Sequence, residues 1–122
     1  MTVSQPEVHD DMEIIEVGKE KNFKILSVKG RMDAVSAPEF EEKMRSWIDE
    51  GETRFIIDLD QLNYMSSAGL RSIIKIVKNV ETKNGKIICC ALAGEVNKIF
   101  KISGFSSIIP TYESVAAALE KI

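Results

Sequence analysis

Asp58-Leu-Asp-Gln-Leu-Asn-Tyr-Met-Ser-Ser-Ala-Gly-Leu70 joins a short apolar run to an amphipathic one. Ahead of it, Arg54-Phe-Ile-Ile-Asp-Leu59 is nearly continuous in apolar residues. That pattern suits a strand covered on both faces, and hence a parallel sheet. Beyond it, Leu70, Ile73, Ile74 and Val77 recur at i, i+3, i+4 and i+7, which predicts a helix from about Ser67. The stretch therefore runs from the carboxyl end of a strand into a helix, where open α/β sheets receive ligands and partners. Ser66, Ser67, Ala68 and Gly69 are small and leave the backbone accessible. First-turn N–H groups lack intrahelical partners and the helix dipole adds partial positive charge, so a phosphate on Ser66 or Ser67 would be favoured. A serine ahead of a helix is also a plain N-cap, stabilising by about 1 kcal/mol. Spacing alone leaves both roles open.

Outward from this segment the chain alternates strands with helices. Met12-Glu-Ile-Ile-Glu-Val17 and Phe23-Lys-Ile-Leu-Ser-Val28 read as a hairpin, with Gly18–Asn22 as its turn and Gly30 closing the second run. Ser36-Ala-Pro-Glu39 reads as a capping box opening a helix, with Pro38 in the first turn. Phe40, Met44, Trp47 and Ile48 form that helix's apolar face, and Gly51 stops it. Lys86-Ile-Ile-Cys-Cys-Ala-Leu92 predicts a second buried strand after the Asn84-Gly85 turn. Val96, Ile99 and Phe100 mark a short helix ending near Gly104, with Phe105 as a hydrophobic plug. Ser107–Ile109 predicts a brief strand stopped by Pro110, and Val115, Ala118, Leu119 and Ile122 a last helix. The order ββ-αβ-αβ-αβ-α implies an α/β fold, with right-handed crossovers, a largely parallel sheet and an antiparallel hairpin edge.

Composition narrows the chemistry. At 122 residues, 44% hydrophobic and 29% charged, the chain has the length and balance of one folded domain. Residues 1–11 read as a flexible polar tail and 12–122 as that domain. A net charge of −3 argues against generic affinity for nucleic acid or an anionic membrane. No apolar run reaches the roughly 18 residues of a membrane span, and the N-terminus does not look like a signal peptide. The single histidine, His9, lies in the tail. Cys89 and Cys90 are neighbours whose side chains point apart in an extended chain, so they read as reduced core residues of a cytoplasmic protein. No nucleophile–base couple, zinc spacing or phosphate-binding glycine loop is present, which predicts a protein that is not an enzyme and needs no metal or cofactor.

Three blocks carry a family resemblance. They are Gly30-Arg-Met-Asp-Ala34, Ile57 to Leu70, and Val96-Asn-Lys-Ile-Phe-Lys-Ile-Ser-Gly-Phe105. Residues 12–122 resemble a STAS domain, in the style of the bacterial anti-sigma factor antagonists. The middle block is the specific one, joining a D-L strand end to an S-x-G-L turn and an apolar helix. In that family the serine two positions before the glycine is phosphorylated by a GHKL-type serine kinase that is itself the anti-sigma factor. The matching acceptor here is Ser67, with Ser66 as a less favoured neighbour. The resemblance implies that the unmodified form binds the anti-sigma factor and frees the sigma factor. Phosphorylation ends that binding, and a PP2C-type phosphatase restores it. This sequence has Ser66 where the family often has Asp, and Ala68 where a second Ser or Thr is common.

The resemblance implies a partner surface of Asp33, Ser66, Ser67, Ala68, Gly69, Leu70 and Arg71, extended along the helix by Lys75 and Lys78. A phosphate would move the net charge from −3 to about −5. Asp33, Asp58 and Asp60 are the acids that could repel it if their loops converge. The resemblance leaves a second role open, as a scaffold or accessory subunit of a stressosome-like or lipid-transport complex. A phosphotransfer receiver does not fit, because Ile109, not lysine, precedes Pro110 and only one acid follows Gly30.

Overall fold

The computed structural model describes residues 12–122; the tail, with His9, lies outside the described residues. Strands β1 (Met12–Glu20) and β2 (Phe23–Met32) form an antiparallel hairpin. Its turn is tighter than expected. Glu20 pairs with Phe23, so only Lys21 and Asn22 form the loop, both at positive φ (52° and 70°). Two successive left-handed residues match the right-handed twist of the flanking strands. Then follow α1 (Ala37–Asp49), β3 (Arg54–Asp58), β4 (Leu62–Met65), α2 (Ser67–Glu81), β5 (Lys86–Cys90), α3 (Gly94–Ser103), β6 (Thr111–Tyr112) and α4 (Val115–Lys121). The sheet order is β1-β2-β3-β5-β6, with every pair after the hairpin parallel.

β4 was not visible in the sequence, and it sets up the site. β2 is long enough to hold two strands end to end on one edge. Its residues Lys24–Ser27 pair with Phe55–Asp58 of β3, and Gly30, Arg31 and Met32 pair with Leu62, Tyr64 and Met65 of β4. Gly30 does not close β2; it sits at φ 91° where the register shifts, and the strand runs on to Met32.

Alternation along the strands divides the core between the two faces. Phe55, Ile57, Ile87 and Cys89 pack with α1, α2 and α3, whereas Ile56, Ile88 and Cys90 pack with Phe23, Ile25 and Ala118 of α4. Both cysteines are buried and free. Burial pushes their thiols up, that of Cys90 to about 11, so neither is a thiolate at neutral pH. Trp47 is core as expected, tilted against Phe55 at 6.4 Å.

Two expectations are corrected. Residues 107–109 form no strand: Phe105–Ser107 is a 3₁₀ turn, and the strand is Thr111–Tyr112, beyond Pro110. Pro110 lacks a donor, but its carbonyl accepts from Cys89 N–H at 3.0 Å and begins the pairing. The capping box of α1 is also absent. Ser36 makes no side-chain cap; its hydroxyl accepts from Asp33 N–H (3.0 Å) and lies 2.9 Å from the Arg31 carbonyl, to which it donates.

Candidate functional site

The site forms where β2 and β4 end side by side. Met32 pairs with Met65, which sets the following residues, Asp33 and Ser66, on neighbouring strand ends. Ser66 N–H donates to the Met32 carbonyl at 2.9 Å. Ser66 is also the N-cap of α2: in extended conformation its hydroxyl accepts from Gly69 N–H at 3.2 Å. Its side chain is thereby engaged in the first turn. Ser67, the first helical residue, is exposed, and its hydroxyl has no partner among the described residues.

Gly69 has a steric reason. A Cβ there would lie 2.5 Å from the Met32 carbonyl oxygen and 3.0 Å from its Cγ, so α2 reaches the end of β2 only if this residue has no side chain. Leu70 is buried behind it and anchors the turn in the core. The S-x-G-L sequence thus divides into an exposed hydroxyl, a close backbone approach and an apolar anchor.

Asp33 is bound into its own loop. Its Oδ1 accepts from Val35 N–H (3.0 Å) and Ser36 N–H (3.1 Å). Those donors, that of Ser36 foremost, hold the carboxyl below its ordinary range, so it is ionised at neutral pH. Arg31 lies 3.7 Å from it and stacks over Tyr64 of β4 at 4.3 Å. Asp58 and Asp60 do not join this cluster. Asp58 accepts from Asp60 N–H at 3.1 Å where β3 ends, level with Ser27 and roughly 20 Å back along β2 from Asp33.

A groove of about 410 Å³ opens beside the turn, between α1 and α2. Ala68, Arg71, Lys75 and Lys78 all line it, so the structure brings these residues together with Ala34, Ala37, Pro38 and Phe105. Sequence reasoning missed Glu41, which bridges the two helices. Its carboxylate accepts from the Ser72 hydroxyl, Lys75 Nζ (3.3 Å) and Arg45 Nη2 (3.2 Å). The Ser72 hydrogen bond, before the two cations, lowers the Glu41 pKa. The only local signal was the Glu41–Arg45 i,i+4 spacing. The cations of α2 are therefore unequal: Lys75 is paired, whereas Arg71 and Lys78 have no ion pair among the described residues. No described helix is long and apolar enough to cross a membrane.

A sheet with this hairpin edge, a broken β3–β4 edge and a serine turn against β2 defines a STAS domain, and the STAS family model matches residues 14–118. The chain belongs to that family. It is 36% identical over 94 residues to BtrV of Bordetella bronchiseptica, for which an anti-sigma factor antagonist role has been put forward; the match covers 77% of this chain and 81% of BtrV. Among solved structures, an anti-sigma factor antagonist from Mycobacterium paratuberculosis superposes with a TM-score of 0.82 at 19% identity, covering 94% of this chain and 97% of that one. Unphosphorylated SpoIIAA, an anti-sigma factor antagonist, superposes at 0.74 and 20% identity, covering 90% and 94%. The same protein has also been solved in its phosphorylated form.

Proposed function

We propose that this protein is an anti-sigma factor antagonist switched at Ser67. Unmodified, it binds a GHKL-type anti-sigma factor kinase and releases the sigma factor; phosphorylated, it does not bind, and a PP2C-type phosphatase resets it. One observation carries the choice of acceptor: Ser67 is exposed and its hydroxyl has no partner among the described residues, whereas the Ser66 hydroxyl caps α2. The relationship to BtrV supports the role.

The switch works by charge at a rigid surface. A phosphate adds about −1.5 to −2 units and three acceptor oxygens. It would stand on the first residue of α2, one position past the strand end that neighbours the ionised Asp33, so a partner fitted to a neutral hydroxyl would meet desolvation cost and repulsion together. The free N–H groups of the first turn can hold the phosphate where it forms, so the fold need not move.

Incubation with the GHKL-type kinase of the same organism and ATP, followed by mass-spectrometric mapping, should find phosphate on Ser67. Ser67→Ala should abolish it and Ser66→Ala should leave it, the latter protein being less stable by about 1 kcal/mol for want of its cap. Normal phosphorylation of Ser67→Ala would refute the assignment. Ser67→Asp should weaken kinase binding with an unchanged circular dichroism spectrum; retained binding would refute the charge mechanism.

A further inference from the structure

We infer that β6 and α4 form a strap that lifts from the sheet as one unit while the rest of the fold stays intact, uncovering the Cys90 thiol. This does not depend on the function proposed above. The two faces of the sheet are covered unequally. On one, α1, α2 and α3 bury Phe40, Trp47, Ile73 and Phe100 in a core that also holds Met32 and Met65. On the other, α4 is the only helix among the described residues, and Ala118 is its only fully buried residue. Val115, Leu119 and Ile122 are half-buried. Ala117 and Glu120, on the flank of α4, line a crevice of about 680 Å³, so that flank is not packed over. Seven residues are too few for a helix to stand alone in water, where about 12–15 are marginal. Undocking and melting of α4 are therefore one event.

The polar ties of the strap sit at its ends. At the entry, β6 pairs through two residues only. Cys89 N–H donates to the Pro110 carbonyl (3.0 Å) and Ala91 N–H to that of Tyr112 (2.9 Å). The Ser114 hydroxyl then caps α4, accepting from Ala117 N–H at 3.0 Å. At the exit, Lys21 in the hairpin turn donates from Nζ to the Leu119 carbonyl at 2.6 Å and to that of Ile122 at 3.4 Å. A helix leaves its last carbonyls without donors of its own, and a cation there also meets the negative end of the dipole. One exposed lysine thus ties α4 to a turn 98 positions earlier in the chain.

The adjacent cysteines report on the two faces separately. Successive strand residues point to opposite sides, so Cys89 lies in the core under α1, α2 and α3 and Cys90 in the one under α4. Lifting the strap uncovers Cys90 and leaves Cys89 buried, whereas global unfolding uncovers both. The serine turn hangs from Met32 and Met65 in the other core, so the opening leaves it in place.

The experiment treats the full chain with excess N-ethylmaleimide under native conditions and at a series of low urea concentrations. Tandem mass spectrometry reads the initial rate at each cysteine. Cys90 should react at least tenfold faster than Cys89 and with a weaker urea dependence, because a local opening exposes less surface than global unfolding. Lys21→Met and Ser114→Ala each remove one tie at an exposed position. Each should speed Cys90 labelling about fivefold, the equivalent of one hydrogen bond or one cap, with the excess over Cys89 kept. Equal rates at the two cysteines with equal urea dependence would overturn the strap, since both would then wait for global unfolding. Faster labelling of Cys90 that neither variant alters would overturn it too, since the opening would then lie elsewhere than in this segment.

Discussion

The carboxyl edge of the sheet has two steps. At the first, Asp58 of β3 and Cys90 of β5 end level, and a crevice of about 680 Å³ opens beyond them among Asp60, Ala91, Tyr112, Glu113 and Glu120. At the second, Met32 and Met65 end level, and the serine turn opens onto the groove of about 410 Å³. The rule that open α/β sheets bind beyond their carboxyl ends applies to both and does not choose between them. Chemistry chooses. The charged residues at the first step are mostly acids, Asp60, Glu113 and Glu120 against Lys121, and they repel an added phosphate. The second offers a hydroxyl and two cations, Arg71 and Lys78, that have no partner among the described residues, together with apolar walls. The larger hollow is thus the poorer candidate, and the step itself exists because β3 breaks off and resumes as β4.

That comparison breaks most visibly at Gly69. A side chain there meets the Met32 backbone carbonyl at 2.5 Å, and a backbone atom cannot swing aside. Gly69→Val should therefore cost about 3 kcal/mol, at the upper end for overpacked sites, and lower Tm by roughly 10 °C. Thermal unfolding followed by circular dichroism measures it. A wild-type Tm would mean that α2 does not depend on its close approach to β2.

Much of this architecture was legible in the chain. β3, β5 and α2 are strongly patterned, because Phe55–Ile57 and Ile87–Cys90 are buried on both faces and α2 carries a clean apolar stripe. β4 was not legible: four residues, Leu-Asn-Tyr-Met, are held by pairing to the tail of a strand some thirty residues earlier. Residues 107–109 misled through composition. Ile108 is 55% exposed, and the strand waits for the carbonyl of Pro110. Of the site, the serine turn could be read, since its signals are local. The Glu41 bridge could not, because Ser72 lies 31 positions away and no spacing records the meeting.

Glu41 gives the intermediate effect and sharpens the second step. Its folded pKa is depressed, so the stability it contributes is fully present above its ordinary value of 4.5 and disappears as pH falls through the lower folded value. Glu41→Gln keeps the shape and removes the charge. At pH 7 the variant should be less stable by about 1–2 kcal/mol, in the range of hydrogen bonds to charged groups. The gap should narrow steadily below about pH 4.5. Urea titrations of both proteins at pH 7 and pH 3 give the comparison, and a gap independent of pH would show that the carboxylate's charge is not what joins α1 to α2.

The smallest effect belongs to the first step, and its sign is opposite. Ala91, on the crevice wall directly after β5, has φ 62° and is held there by its N–H bond to the Tyr112 carbonyl at 2.9 Å. A left-handed conformation costs a residue with a Cβ about 1–2 kcal/mol. Glycine removes that cost but gains freedom in the unfolded chain, which returns roughly 0.5–1 kcal/mol to the unfolded side. Ala91→Gly should therefore stabilise the fold by about 0.5 kcal/mol, raising the urea midpoint at constant m. A fall in the midpoint would mean that the Ala91 methyl contributes packing worth more than the strain it imposes. A rise, set against the loss at Gly69, would show that the backbone is relaxed around the serine turn and strained beside the crevice.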